Sequence, residues 1–355
     1  MTIHIRFRDE DWQRISRDWN AWWAGELERP LVSLEIIDPV PGADFSQFSK
    51  WGLDTPIDAI IDNWQRIFEA THWLGDAFPK WWVNFGPGTT AAFLGSPVSW
   101  SPDTTWFWPL EGVNTLADIH PAYDPANRWW QRVKVMTARA MERWGHDVLV
   151  GMTDLGGTLD VLASLRGSEK LLLDLTDEPD EVERLMREIT PLWLRYYDEL
   201  EAITRTAGRG NACWGPCWSP GPGYMLQCDF SYMISPRMFQ RFVMPDLVAC
   251  CDHLDYGFYH LDGKGEIPHL DQLLSIQRLR GVQWQPGDGQ PLADGWLPLL
   301  KRIRDAGKLC QVYVTCAGAL KIVRELGGKG FIFEIINETL TVDEGAAFVR
   351  ELHKA

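Results

Sequence analysis

The sequence predicts an α/β chain folded as a (β/α)8 TIM barrel, and three observations carry that expectation. From Val148 onward, strand-like and helix-like segments alternate, which implies parallel strands joined by helical crossovers. The later strands recur at roughly 25-residue intervals with short connections, the spacing of a closed barrel. No G-x-G-x-x-G follows an early strand and no P-loop is present. Gly86-Pro-Gly88 and Gly156-Gly157 have neither spacing, so an open nucleotide-binding sheet lacks its fingerprint.

The elements follow in chain order. A helix is expected from about Asp9 to Glu26, with acidic residues in its first turn, where they complement the helix dipole. Trp12, Ile15, Trp19 and Trp23 form its apolar stripe. Leu31–Ile37 reads as a strand, and Thr55-Pro56 opens a second helix. Residues 76–127 are rich in Pro, Gly and Trp and lack periodicity. They are expected to form a long insertion over one face of a single domain spanning 1–355. Strands are then predicted at 148–152, 210–214, 257–260, 281–285, 309–314 and 330–336. The expected helices are 179–205, 236–253, 293–306, 317–326 and 342–353, the second opened by Ser235-Pro236.

Composition narrows the function. With 45% hydrophobic and 23% charged residues, the 355-residue chain has material for a sizeable core. A net charge of −15 argues against a nucleic-acid partner, which would need a basic footprint. No apolar run is long enough to span a bilayer and no signal-peptide core opens the chain, so a cytoplasmic enzyme is expected. The seven cysteines are odd in number and scattered, as expected of reduced thiols rather than a disulfide framework.

Barrel chemistry sits at the C-terminal ends of strands. Those ends carry Asp154, Trp214, His260 with Asp262, Trp284-Gln285, Cys316, and Glu334 with Asn337. His260 and Asp262 are two residues apart on a strand and face one way. An imidazole and a carboxylate so placed can ligate a metal ion or exchange a proton. Asp154, Asp229 and Tyr224 are candidate catalytic or substrate-orienting groups. Trp82, Asn84, Trp106, Trp214, Trp284, Gln285 and Asn337 are candidate substrate contacts, the tryptophans as walls of an aromatic pocket.

Three segments resemble uroporphyrinogen decarboxylase and its relatives, the metal-dependent cobalamin or corrinoid methyltransferases. The first is Gly151-Met-Thr-Asp-Leu-Gly-Gly-Thr-Leu-Asp160, continuing to Asp180. The second, Asp229-Phe-Ser-Tyr-Met-Ile-Ser-Pro236, continues to Pro245. The third is His260-Leu-Asp-Gly263, where the methyltransferase branch carries H-x-C-G. The resemblance implies a methyltransferase with a divalent metal, zinc foremost, held by His260, Asp262 and Glu334. Asp262 stands where that branch has a cysteine, and Glu334 lies on the last strand, where its later cysteine is found. The set is harder than His/Cys/Cys and favours oxygen ligands or oxygen substrates. The implied partners are a small-molecule substrate and a corrinoid on a separate protein, with a homodimer left open. The decarboxylase branch is the alternative. Its arginine-bearing segment has only Glu28-Arg29-Pro30 as a counterpart, and Asp154 approximates its carboxylate. Two further alternatives are carboxylate acid/base chemistry by Asp262 and Glu334 on a carbohydrate or aromatic molecule, and a ligand-binding barrel without catalysis.

Overall fold

The computed structural model describes residues 3–45, 52–100 and 104–355. Trp51 and residues 101–103 of the proposed insertion lie outside the described residues. The strands in chain order are β1 Leu31–Ile37, β2 Thr71–Gly75, β3 Lys80–Trp82, β4 Val98–Trp100, β5 Thr105–Phe107, β6 Leu149–Gly151 and β7 Asn211–Ala212. They continue with β8 Trp218–Ser219, β9 Gly223–Leu226, β10 Tyr256–Asp262, β11 Gly281–Gln285, β12 Leu309–Val314 and β13 Phe331–Ile335.

Seven strands make the central sheet, in the order β2-β1-β13-β12-β11-β10-β9. All pairings are parallel except that of β1 with β2. Parallel neighbours require crossovers, and helices Met244–His253, Leu297–Asp305 and Cys316–Leu326 supply them. β1, β11 and β12 match the expected bounds, because their apolar runs end at turn residues. The α/β expectation is met. A hydrogen-bonded ring is not complete: β3 and β6 form a separate parallel pair. Met152 N donates to Ala212 O at 3.0 Å, so this pair abuts β7, which lies against β9.

Residues 76–127 are not wholly an insertion, since they include β3. They also hold the antiparallel β4–β5 hairpin and the short helix Thr90–Phe93. The expected 236–253 helix is two, Pro236–Phe242 and Met244–His253, with Pro245 in the first turn of the second. Proline has no N–H to continue a helix ladder. Ser235 caps the first as expected, its hydroxyl accepting from Met238 N.

The tryptophan stripe of helix Asp9–Trp23 packs inward: Trp12, Trp19, Trp22 and Trp23 are all buried. Trp23 Nε1 donates to Trp218 O at 2.8 Å, and its ring meets Tyr256 edge-on at 5.1 Å. All seven cysteines are free thiols, six of them buried. Among the described residues, no helix is long and apolar enough to cross a membrane.

Candidate functional site

A parallel ladder sets equivalent residues side by side, so inward-facing polar residues of neighbouring strands form a row. Here Ser33 on β1 pairs with Glu334 on β13, which pairs with Tyr313 on β12, and His260 on β10 pairs with Gln283 on β11. Ser33, Glu334, Tyr313 and His260 line a cavity of about 640 Å³ near the C-terminal ends of these strands. Trp82, Asn84, Asp154, Trp214 and Asp229, all candidates from the sequence, line it too.

His260 is positioned from three sides. Gln283, fully buried, takes the His260 Nδ1 hydrogen on its Oε1, and its amide nitrogen donates to Tyr313 Oη at 3.4 Å. The Trp214 ring meets the imidazole edge-on at 5.3 Å. With Nδ1 so engaged, Nε2 presents its lone pair, 3.9 Å from Asp262 Oδ2. Asp229, His260 and Asp262 each offer one ligand atom, and these lie within 4.8 Å of one another. Two carboxylates and one imidazole, leaving coordination positions open, suit a divalent ion of the zinc type.

The surroundings hold this trio in place. Asp229 begins the 3-10 turn Asp229–Met233, and its N–H and that of Phe230 donate to Asp160 at 3.1 and 2.7 Å. Gly157 lets the chain pass that carboxylate, since a Cβ there would fall 2.5 Å from Asp160 Oδ2 and 2.3 Å from Gln227 O. Asp262 N donates to the buried Glu266 at 3.2 Å. Gly263, at φ +75°, then turns the strand away. Asp229 is exposed and lines both this cavity and the neighbouring cleft. Enclosure by protein raises its carboxyl pKa, opposed by His260 and reinforced by Asp262.

Glu334 is not the third member of this group. It faces Ser33 (Oγ to Oε1, 3.0 Å) and Glu35, and burial followed by repulsion from Glu35 pushes its carboxyl up to about 8. Its charged neighbours are Glu35 and Lys80 rather than Asp262, so the proposed Asp262–Glu334 acid/base pair has no counterpart. Asp154 lines the same cavity. Burial pushes its carboxyl up to about 7, against the N–H of Gly156 at 2.8 Å.

Five further expectations are corrected. The Tyr224 hydroxyl donates to Thr153 O at 3.1 Å and accepts from Leu155 N at 2.7 Å, which commits it to backbone. Trp284 is fully buried and packs edge-on against Trp296 at 5.1 Å, so it faces away from the cavity. Gln285 lies beyond the cavity lining, and its carbonyl accepts from Gly263 N at 2.7 Å. Asn337 is an exposed turn residue at φ +59°. Trp106 is 53% exposed and lines a neighbouring cleft of about 690 Å³, which shares Pro87, Gln227 and Asp229 with the first.

Sequence reasoning missed Glu35, Lys80, Gln283 and Tyr313. The one available signal was Glu35, a charged residue in step with Ser33 within an apolar strand. Lys80 was hidden in an aperiodic stretch. Its ammonium points at the carbonyls of Cys213, Trp214 and Gly215, at 3.1, 3.4 and 2.5 Å.

No family model and no curated protein matches the chain. Among solved structures it is similar to a methyltransferase from Methanosarcina mazei, at 13% identity and a TM-score of 0.51. The match covers 77% of this chain and 80% of that one. At such identity the likeness speaks for a shared α/β fold.

Proposed function

We propose that this chain is a metal-dependent group transferase, with methyl transfer as its reaction, on a (β/α)8 barrel of the uroporphyrinogen decarboxylase-like kind. The convergence of Asp229, His260 and Asp262 within 4.8 Å beside a large cavity carries this reading. The fold likeness to a solved methyltransferase supports it. A divalent ion, zinc by preference, would supply Lewis acidity to a donor or acceptor atom.

The chain's own residues have separable tasks. Gln283 keeps the His260 Nδ1 hydrogen, so Nε2 stays free for the ion. Asp160 holds the turn that presents Asp229. Asp154, titrating near neutrality, can hand a proton to the departing group. Trp82, Asn84 and Trp214 bound the space for substrate. A corrinoid on a separate protein is the proposed methyl carrier, and that part rests on the motif resemblance alone.

Decarboxylation of a polycarboxylate is the weaker reading. Such a substrate needs cations, and Lys80 is the only lysine or arginine among the described lining residues. Glu35, Asp154, Asp229 and Glu334 line the same cavity. Arg29 is tied to Asp76 at 2.7 and 2.9 Å and to Asp18 at 2.9 Å.

Zinc competition against a chromophoric chelator tests the assignment, using wild type, His260→Ala, Asp229→Asn and Glu334→Gln. Stoichiometric binding that is lost in the first two variants and kept in Glu334→Gln is expected. Equal zinc affinity in wild type and His260→Ala would refute it.

A further inference from the structure

The cavity has a second chemical feature, away from the donor trio. Glu35 and Glu334 face it from the adjacent strands β1 and β13. Glu334 spends one oxygen on Ser33, while Oε2 is buried and has no partner. Glu35 has no hydrogen bond or ion pair among the described residues. Lys80 does not neutralise them by contact. An ammonium has three hydrogens, and three carbonyl oxygens stand around this one. A carboxylate oxygen buried without a partner, on Glu334, beside the open and unpaired carboxylate of Glu35 either holds a proton or awaits a cation.

The walls say which kind of cation. Trp64, Phe68, Trp82, Ile37 and Ile336 share this lining. A small metal ion takes a shell of oxygens, which aromatic and aliphatic walls do not supply. A primary ammonium wants an acceptor for each hydrogen. An alkylated ammonium needs only a diffuse counter-charge and apolar or aromatic faces for its carbons.

We propose that the Glu35–Glu334 end of the cavity binds an alkylated ammonium ion, with N-methyl groups against the aromatic walls and the carboxylates as counter-charge. The assignment rests on reading this cavity as the active site and names the class of its substrate. The upward shift of both carboxyls fits it, since an arriving cation would offset the cost their surroundings put on negative charge.

Calorimetry tests the proposal with choline and its uncharged isostere 3,3-dimethylbutan-1-ol, on zinc-loaded and zinc-free protein. Choline is expected to bind at least about tenfold more tightly than the alcohol. The Glu35→Gln/Glu334→Gln double variant, isosteric and checked for an intact melt, is expected to lose that preference. Glu35→Gln alone should lose part of it, which serves if the double variant does not fold. Equal affinity for choline and the alcohol overturns the proposal, as does an unchanged preference in the folded double variant. Absence of choline binding in a chain that still takes up zinc overturns this proposal and leaves the metal reading standing. Choline binding with no zinc uptake does the reverse.

Discussion

Replacing Glu334 with glutamine should change how the protein's stability depends on pH. The carboxyl ionises near 4.5 in an unfolded chain and near 8 when folded, raised by burial and by Glu35, with Ser33 and Lys80 pulling the other way. Between those values the folded state keeps a proton that the unfolded state gives up. Raising the pH therefore costs stability across that window. The penalty is absent below about 4.5, grows through neutrality and is complete above about 8. A displacement from 4.5 to about 8, at about 1.4 kcal/mol for each pH unit, sets a ceiling of about 5 kcal/mol. Glu35 competes for the same proton and Tyr313 and Cys217 stand nearby, so a difference of about 2–4 kcal/mol is expected. Glutamine keeps an acceptor for Ser33 Oγ and carries no charge. Urea midpoints of wild type and Glu334→Gln at pH 5, 7 and 9 read the effect, with the variant gaining on wild type as pH rises. Other raised acids, such as Asp246 and Glu266, cancel in the difference. Parallel curves would show that Glu334 is ionised throughout and that the enclosure argument is wrong.

Three other outcomes follow from the same contacts. Gln283→Leu leaves the His260 Nδ1 hydrogen without an acceptor and should weaken zinc binding by about 10–100-fold, measured by chelator competition. Tyr224→Phe should lower stability by about 1–3 kcal/mol, because Thr153 O and Leu155 N lose a buried partner, with zinc affinity unchanged in the same preparation. Arg29→Met should cost at most about 3–5 kcal/mol in urea unfolding, by taking the closest cation from the buried Asp76 while Asp18 keeps Arg17 at 2.8 Å, and should leave ligand binding in folded protein untouched.

Much of the framework was legible in order along the chain. The apolar runs of β1, β11 and β12 end at residues that break a strand, and a period of two leaves no other face for His260 and Asp262 to share. β3 was not legible. Its three residues lie in an aperiodic stretch, and it becomes a strand by pairing with β6, some seventy residues onward. The period of two also leaves open which face is interior. It separates Gln283 from Trp284 without saying which one meets His260, and the amide did so while the indole packed against Trp296.

The sequence by itself determined that the chain alternates strand and helix, that its N-terminal tryptophans pack and that His260 and Asp262 share one face of a strand. These are properties of neighbours within a few residues, fixed by backbone geometry. Only the tertiary structure decided that Asp229 rather than Glu334 completes the trio and that Glu334 answers to Glu35 instead. Those choices depend on where an Asp160-held turn and two adjacent strands come to rest, and distance through space is not written in distance along the chain.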